Sequence, residues 1–286
     1  MNDFKKRLVL LHHCPGASWK HILSILKKDP QLISLYDEQR LKDFIPSPAA
    51  NAILKDFHSP SLIHTLKLYE QNGISCVTIF DQEYPVMLRE TSMPPWVLYA
   101  KGDLGLLKTK HLLAVVGSRQ ATAYGKKAIE QLFPRLIGSQ IVIVSGLAAG
   151  IDAYAHQTAI QYGGKTIGVI AGGFNHLYPK ENVLLANVMM KDHLVLTEYP
   201  FFMRPQKWHF PLRNRIIAGL CQGTLVVEAK QKSGSLITAN YAVQEGRDVF
   251  AVPGHILGPH STGTNELIQQ GAKLIISAQD ILDEII

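Results

Sequence analysis

The chain has 286 residues, 47% hydrophobic and 18% charged, which fits one large domain with a smaller companion and excludes an intrinsically disordered chain. No apolar run reaches the roughly 18 residues of a membrane-spanning helix, the stretch after Lys5-Lys6-Arg7 is too short for a signal peptide, and three scattered cysteines exclude a disulfide framework or cysteine-rich zinc site. The expectation is a cytoplasmic protein without membrane contact, and the net charge of +6, concentrated in Arg204, Lys207, Arg213, Arg215, Lys230 and Lys232, fits an anionic partner.

In chain order, residues 1–72 read as a small helical domain. Helices are expected over 4–12, 19–28, 48–57 and 61–71, the second with a stripe of Trp19, Ile22, Leu23, Ile25 and Leu26. The turn at 14–18 reads either as a hairpin that offers amides to a phosphate or as a plain interhelical turn, and Asn72-Gly73 closes the region. This part carries no basic–aromatic cluster. It is expected to fold separately and to add little to a nucleic-acid site. Residues 73–110 read as a linker whose proline-rich stretch, 84–103, adds a pair of extended strands. Strands are expected at 74–78, 112–116, 141–144, 166–170, 194–196, 224–227, 248–251 and 272–276. Helices are expected between them at 124–137, 151–161, 181–190, 213–218, 236–245 and 265–270. Continuous apolar strands alternating with helices predict an α/β fold over 111–286, a Rossmann-like parallel sheet covered on both faces.

Ligands of open α/β sheets bind where strands give way to helices, so those loops are the places to look. The first is Val116-Gly117-Ser118-Arg119, where glycine admits a close backbone approach and Arg119 supplies a paired charge for an anionic oxygen. The second is Ser145-Gly146-Leu147-Ala148-Ala149-Gly150. The third joins Ala171-Gly172-Gly173-Phe174 to Tyr178-Pro179-Lys180-Glu181-Asn182. The fourth is Lys232-Ser233-Gly234-Ser235. Four such loops in one sheet point to an extended polyanion site. In the segment 204–215, Lys207, Trp208, Phe210 and Arg213 interleave cations with rings, the combination that takes phosphates and unstacked bases. The alternative is that Trp208 and Phe210 pack into the core beneath a solvated charged rim.

Dinucleotide and Walker glycine spacings, a zinc-protease helix and a nucleophile elbow are all missing from the sequence. Asp152 and His156, four residues apart on one helix face, read as a structural hydrogen-bonded pair more readily than as an acid–base pair. No catalytic residue, metal site or cofactor is assigned.

At these loops the chain resembles the DNA-processing protein A family (DprA, also called Smf), over roughly residues 74–280. The resemblance rests on Val115-Val116-Gly117-Ser118-Arg119, on Ser145-Gly146-Leu147-Ala148-Ala149-Gly150-Ile151-Asp152, and on Tyr178-Pro179-Lys180-Glu181-Asn182. It continues through His209-Phe210-Pro211-Leu212-Arg213-Asn214-Arg215-Ile216-Ile217-Ala218-Gly219-Leu220, Ser233-Gly234-Ser235-Leu236-Ile237-Thr238-Ala239 and Val252-Pro253-Gly254. The N-terminal helices resemble more weakly the sterile-alpha-motif-like module of some members. The resemblance implies a non-enzymatic homodimer that binds and protects single-stranded DNA and loads the RecA recombinase onto it during natural transformation. It puts DNA contacts on Arg119, Lys180, Lys207, Phe210, Arg213 and Asn214, with phosphate-binding amides at Ser118 and Gly146. Gly117, Arg215, Ser233, Gly234 and Ser235 complete the expected interface. The winged-helix domain with which many members end has no counterpart before Ile286, so its role is not expected here. Dimerisation is expected through the apolar ending Leu274-Ile275-Ile276, Ile281-Leu282 and Ile285-Ile286. No small-molecule substrate is expected.

A rival from another class is the lysine-decarboxylase-like nucleoside-monophosphate phosphoribohydrolase, which shares this Rossmann variant. Here Gly223-Thr224 is followed by Glu228 one residue late for that family's motif. A one-residue shift turns a strand side chain to the opposite face, which makes Glu228 a structural acceptor.

Overall fold

The computed structural model describes the backbone of residues 1–286 and every side chain but that of Ile63. The N-terminal region forms α1 (Asp3–His13), α2 (Trp19–Lys28), α3 (Glu38–Lys42), α4 (Ser47–Phe57) and α5 (Pro60–Gln71). Local chemistry starts these helices. The side chains of Asn2, Ser18 and Ser59 accept from Lys5 N, His21 N and Leu62 N, and Pro60 sits where its missing N–H costs nothing. The five-residue α3 is too short to leave a periodic signal and was not expected. The core that the helices enclose runs on without a break into the sheet region. Leu8, Leu11, Ile22, Ile25 and Ile53 pack in one cluster with Val97, Tyr99, Val195, Leu147 and Met189 of the sheet region. Trp19 and Trp96 stack at 5.3 Å, and each indole N–H donates across the junction, to Pro94 O and Trp19 O.

The rest of the chain runs β1 (Ser75–Thr78), α6 (Val86–Arg89), β2 (Val97–Gly102), β3 (Leu112–Val116), α7 (Ala123–Gly138), β4 (Val142–Ser145), α8 (Ile151–Gln161) and β5 (Thr166–Val169). It continues with α9 (Val183–Asp192), β6 (Leu194–Thr197), α10 (His209–Leu220), β7 (Gly223–Val226), α11 (Gly234–Gln244), β8 (Asp248–Ala251), α12 (Thr262–Gln269), β9 (Lys273–Leu274) and α13 (Gln279–Ile285). The strands form one nine-stranded sheet in the order β1-β2-β6-β5-β4-β3-β7-β8-β9. From β6 to β9 every pairing is parallel, as the strand–helix alternation predicts. The other edge corrects that expectation: β2 lies antiparallel to both β1 and β6, so the sheet is mixed. A parallel return needs a long crossover, and the stretch between β1 and β2 holds only the four-residue α6. The proline-rich stretch thus contributes one strand and a short helix in place of two strands.

Strand alternation divides the core. Leu112, Ala114 and Val116 of β3 face α10 and α11, while Leu113 and Val115 face α7, α8 and α13. Both faces are covered, which is why the strands read as continuous apolar runs. Because β3 pairs with β4 on one side and β7 on the other, the winding reverses there, and the carboxyl ends of β3, β4 and β7 open a crevice. Among the described residues no helix is long and apolar enough to cross a membrane.

Candidate nucleic-acid interface

The crevice is an open cleft of about 730 Å³ lined by four loops and the start of α10. The loop after β3 is built for close approach. Gly117 packs so tightly on Ile151 that a Cβ there would strike its side chain, and Gly150, at φ 80°, carries the chain over the Ser118 and Arg119 backbone. Ser118 closes a small turn, its Oγ accepting from Gln120 N and donating to Gln120 O, both at 3.1 Å. Arg119 is exposed and holds its guanidinium 5.5 Å from the centre of the Phe210 ring. Tyr178 meets the same ring edge-on at 5.8 Å.

Across the cleft, Lys230 donates to Gln120 Oε1 at 3.1 Å, and the Ser233 and Ser235 hydroxyls pair at 2.6 Å beside Gly234, around which space is open. Lys207 is exposed at the rim, and Asn214 spans to Gly234 O at 3.2 Å. The structure therefore brings Gly117, Ser118, Arg119, Lys207, Phe210, Arg213, Asn214, Ser233, Gly234 and Ser235 together on one cleft.

Four of the expected residues behave differently. Arg213 is buried, its Nη1 donating to Gly146 O and Val169 O and its Nε to Asn214 Oδ1 at 3.0 Å, so most of its hydrogen-bonding capacity is spent on the protein. Gly146 is not a free anion-binding amide, because its N–H donates to Asp152 Oδ2 at 3.1 Å. Burial pushes the Asp152 carboxyl above its ordinary range, against the pull of Arg213 and the surrounding amides. Arg215 leaves the cleft altogether. It stands two residues after Arg213, about 200° further round the helix, and it pairs with Glu198 and donates to Met93 O at 2.5 Å. Lys180 is exposed on the loop after β5 outside the cleft lining, although its neighbours Tyr178, Pro179 and Glu181 line a side cavity of about 170 Å³ against Arg119, Gly146 and Phe210.

Gln120, Lys230 and Tyr178 line the cleft without having been assigned to it. For Lys230 the signal was present: it follows β7 at the carboxyl end of the sheet, beside the first loop.

The remaining acid–base candidates are structural. Asp152 and His156 do not bond to each other; His156 Nδ1 lies 2.6 Å from Thr166 Oγ1, and burial lowers this imidazole's pKa to about 3. Glu228 is buried and accepts from the backbone and hydroxyl of Thr122, whose Oγ1 in turn caps α7. It stands two residues past β7 and anchors the helix behind the Arg119 loop, the structural role expected of it.

Comparison with known proteins bears on the same region. The family model for DNA recombination-mediator protein A matches residues 75–286. The chain is 47% identical over 266 residues to the DNA processing protein DprA of Bacillus subtilis (strain 168), covering 92% of this chain and 89% of that one. The solved structure of DNA processing protein A from Streptococcus pneumoniae aligns with a TM-score of 0.89 at 41% identity, covering 100% of this chain and 99% of that chain. DNA processing protein A from Helicobacter pylori, solved for its single-stranded DNA binding mode, aligns with a TM-score of 0.67 at 30% identity, over 73% of this chain and 94% of that one.

Proposed function

The chain belongs to the DNA recombination-mediator protein A family, and on that premise we propose that its cleft binds single-stranded DNA. The observation that carries this reading is the Arg119 guanidinium lying over the half-buried Phe210 ring, with Lys207 and Lys230 lining the same open cleft. Phosphates take the exposed cations, and an unstacked base takes the place beside Phe210 and Tyr178. Arg213 and Asn214 act from beneath, fixing the start of α10 against the loop after β4 and the start of α11. Duplex DNA presents no unstacked base, so the reading requires a preference for single strands.

In this reading the protein holds incoming DNA in the cytoplasm and hands it to the RecA recombinase during natural transformation, as a binding protein and not an enzyme. Gripping mainly the backbone protects the strand without sequence selection. We further propose a homodimer through the C-terminal end. There Leu274, Ile276 and Ile286 are exposed, while Ile275, Ile281, Leu282 and Ile285 are consumed by the chain's own core. Two clefts in one assembly raise the affinity for a long strand by effective concentration.

A gel-shift comparison of single- and double-stranded DNA of equal length tests the reading. Tighter binding to the single strand is expected, and equal binding to both overturns it. Release of free base from nucleoside monophosphates by the protein would favour the phosphoribohydrolase reading, which the engagement of Glu228 by Thr122 opposes.

A further inference from the structure

We propose that the DNA path continues out of the cleft onto the loop after β6, where Trp208 and Phe202 form a second stacking platform and Arg204 supplies a phosphate contact. This rests on the single-strand reading of the cleft and extends it to residues that the cleft does not include.

Exposure at Trp208 lacks a packing explanation. Trp19 and Trp96 stack on each other and both donate their indole N–H to backbone carbonyls. Trp208 instead is 60% exposed. Its ring rests against His209 at 4.0 Å, nearly perpendicular. Phe202, 55% exposed, and Met203 stand on the same loop. Leaving several large apolar side chains of one loop in water forgoes their burial, a cost that an interaction there would recover.

The platform is held on a fixed backbone. Gly173 N donates to Met203 O at 2.8 Å, Asn175 N to Phe201 O at 3.1 Å, and Phe201 N to the Tyr69 hydroxyl at 2.9 Å. His209, which supports Trp208, is buried, stacks on Tyr199 at 4.0 Å and sits 3.1 Å from Ala171 O. Rings offered from a preorganised loop lose little entropy on binding.

Position and charge select a nucleic-acid strand as the occupant. Along the carboxyl edge of the sheet the order β7-β3-β4-β5-β6 places Lys230, Arg119, Gly146, Tyr178 and then this loop in succession. Lys207, on the cleft rim, immediately precedes Trp208. From 199 to 211 the chain contains Arg204 and Lys207 and no acidic residue, while Glu198 just before it is held by Arg215. Exposed rings among cations without carboxylates match a flexible polyanion with unstacked bases.

The full-length protein is tested with oligothymidylates of about 5 and about 20 nucleotides, one to fill the cleft and one to run beyond it. The long strand is expected to quench tryptophan emission far more than the short one, with the difference absent in Trp208→Phe, which keeps a ring and most of the affinity. Trp208→Ala is expected to weaken the long strand about tenfold at unchanged melting temperature and leave the short one within about twofold. Arg204→Ala should flatten the salt dependence by roughly 0.7 in log K per log salt for the long strand only. Unaltered long-strand binding by Trp208→Ala, or equal loss at both lengths, overturns the proposal while leaving the cleft reading intact. If neither oligonucleotide binds the parent protein, both readings fall.

Discussion

Where the helices meet the sheet, Tyr69 and Tyr99 stack at 4.9 Å, with His12 Nδ1 3.0 Å from the Tyr99 hydroxyl and His13 Nε2 2.9 Å from that of Tyr69. In the cleft, Tyr178 and Phe210 meet edge-on at 5.8 Å with Arg119 over the ring. Both regions combine rings with nitrogen-bearing side chains, although burial keeps the junction imidazoles neutral while the cleft presents a guanidinium. At the junction the tyrosine hydroxyls and both His13 nitrogens have partners inside the protein, and the tyrosines are buried. In the cleft Tyr178 and Arg119 remain open to solvent. A cluster of rings and polar side chains is therefore a binding site where its pairing is left open to solvent, and a cement where it is closed inside the fold.

The sharpest way to break this comparison is Tyr99→Ala. Losing a fully buried aromatic should destabilise the fold by about 3–5 kcal/mol and lower the melting temperature by roughly 10 °C, with single-strand affinity of the folded fraction unchanged. Selective loss of DNA binding without destabilisation would make the junction functional. Next in size is Arg215→Met, which leaves the mostly enclosed Glu198 without its ion-pair partner. About 3 kcal/mol of stability should be lost, with the salt dependence of DNA binding preserved; a flattened salt dependence would return Arg215 to the interface.

Acid separates the regions in another way. Burial lowers the pKa of His12 to about 3, of His13 to about 4 and of His156 to about 3, against 6.5 in the unfolded chain. Below pH 6.5 the unfolded chain takes up protons that the folded one refuses. Stability is thus complete above pH 6.5 and is lost as pH falls toward 4, by up to about 1.4 kcal/mol per pH unit for each histidine. Melting curves between pH 8 and 5 check the sign, and a rise on acidification contradicts it.

The smallest changes in stability belong to the cleft. Phe210→Ala should weaken single-strand binding about tenfold with the salt slope intact, while duplex binding stays insensitive to it. Arg119→Ala should flatten that slope by roughly 0.7, and lysine there should rescue only in part. Titrations at several salt concentrations, each with a melting curve, distinguish the two. A Phe210→Ala protein whose folded fraction binds normally would move that ring from the interface to the core.

The alternation of apolar strands and helices, the glycine loops at the carboxyl ends, and the interleaved Lys207, Phe210 and Arg213 are local patterns, and each was legible in the chain. Glu228, one residue late for the phosphoribohydrolase motif, was legible as a structural residue, although it stands two residues past β7, where strand periodicity no longer sets its direction. Tertiary structure decided how each side chain is used. Arg213 and Arg215 look alike in sequence, yet one lies beneath the cleft bonded to carbonyls 67 and 44 residues away and the other is paired with Glu198. The Gly146 amide was taken by Asp152, and β2 turned antiparallel because no crossover helix preceded it. The core of the helices and that of one sheet face became one, because apolar side chains of both meet at Trp96, Val97, Tyr99 and Val195. Hydrogen-bonding capacity and apolar surface are finite, and distant segments compete for them only once the chain has folded.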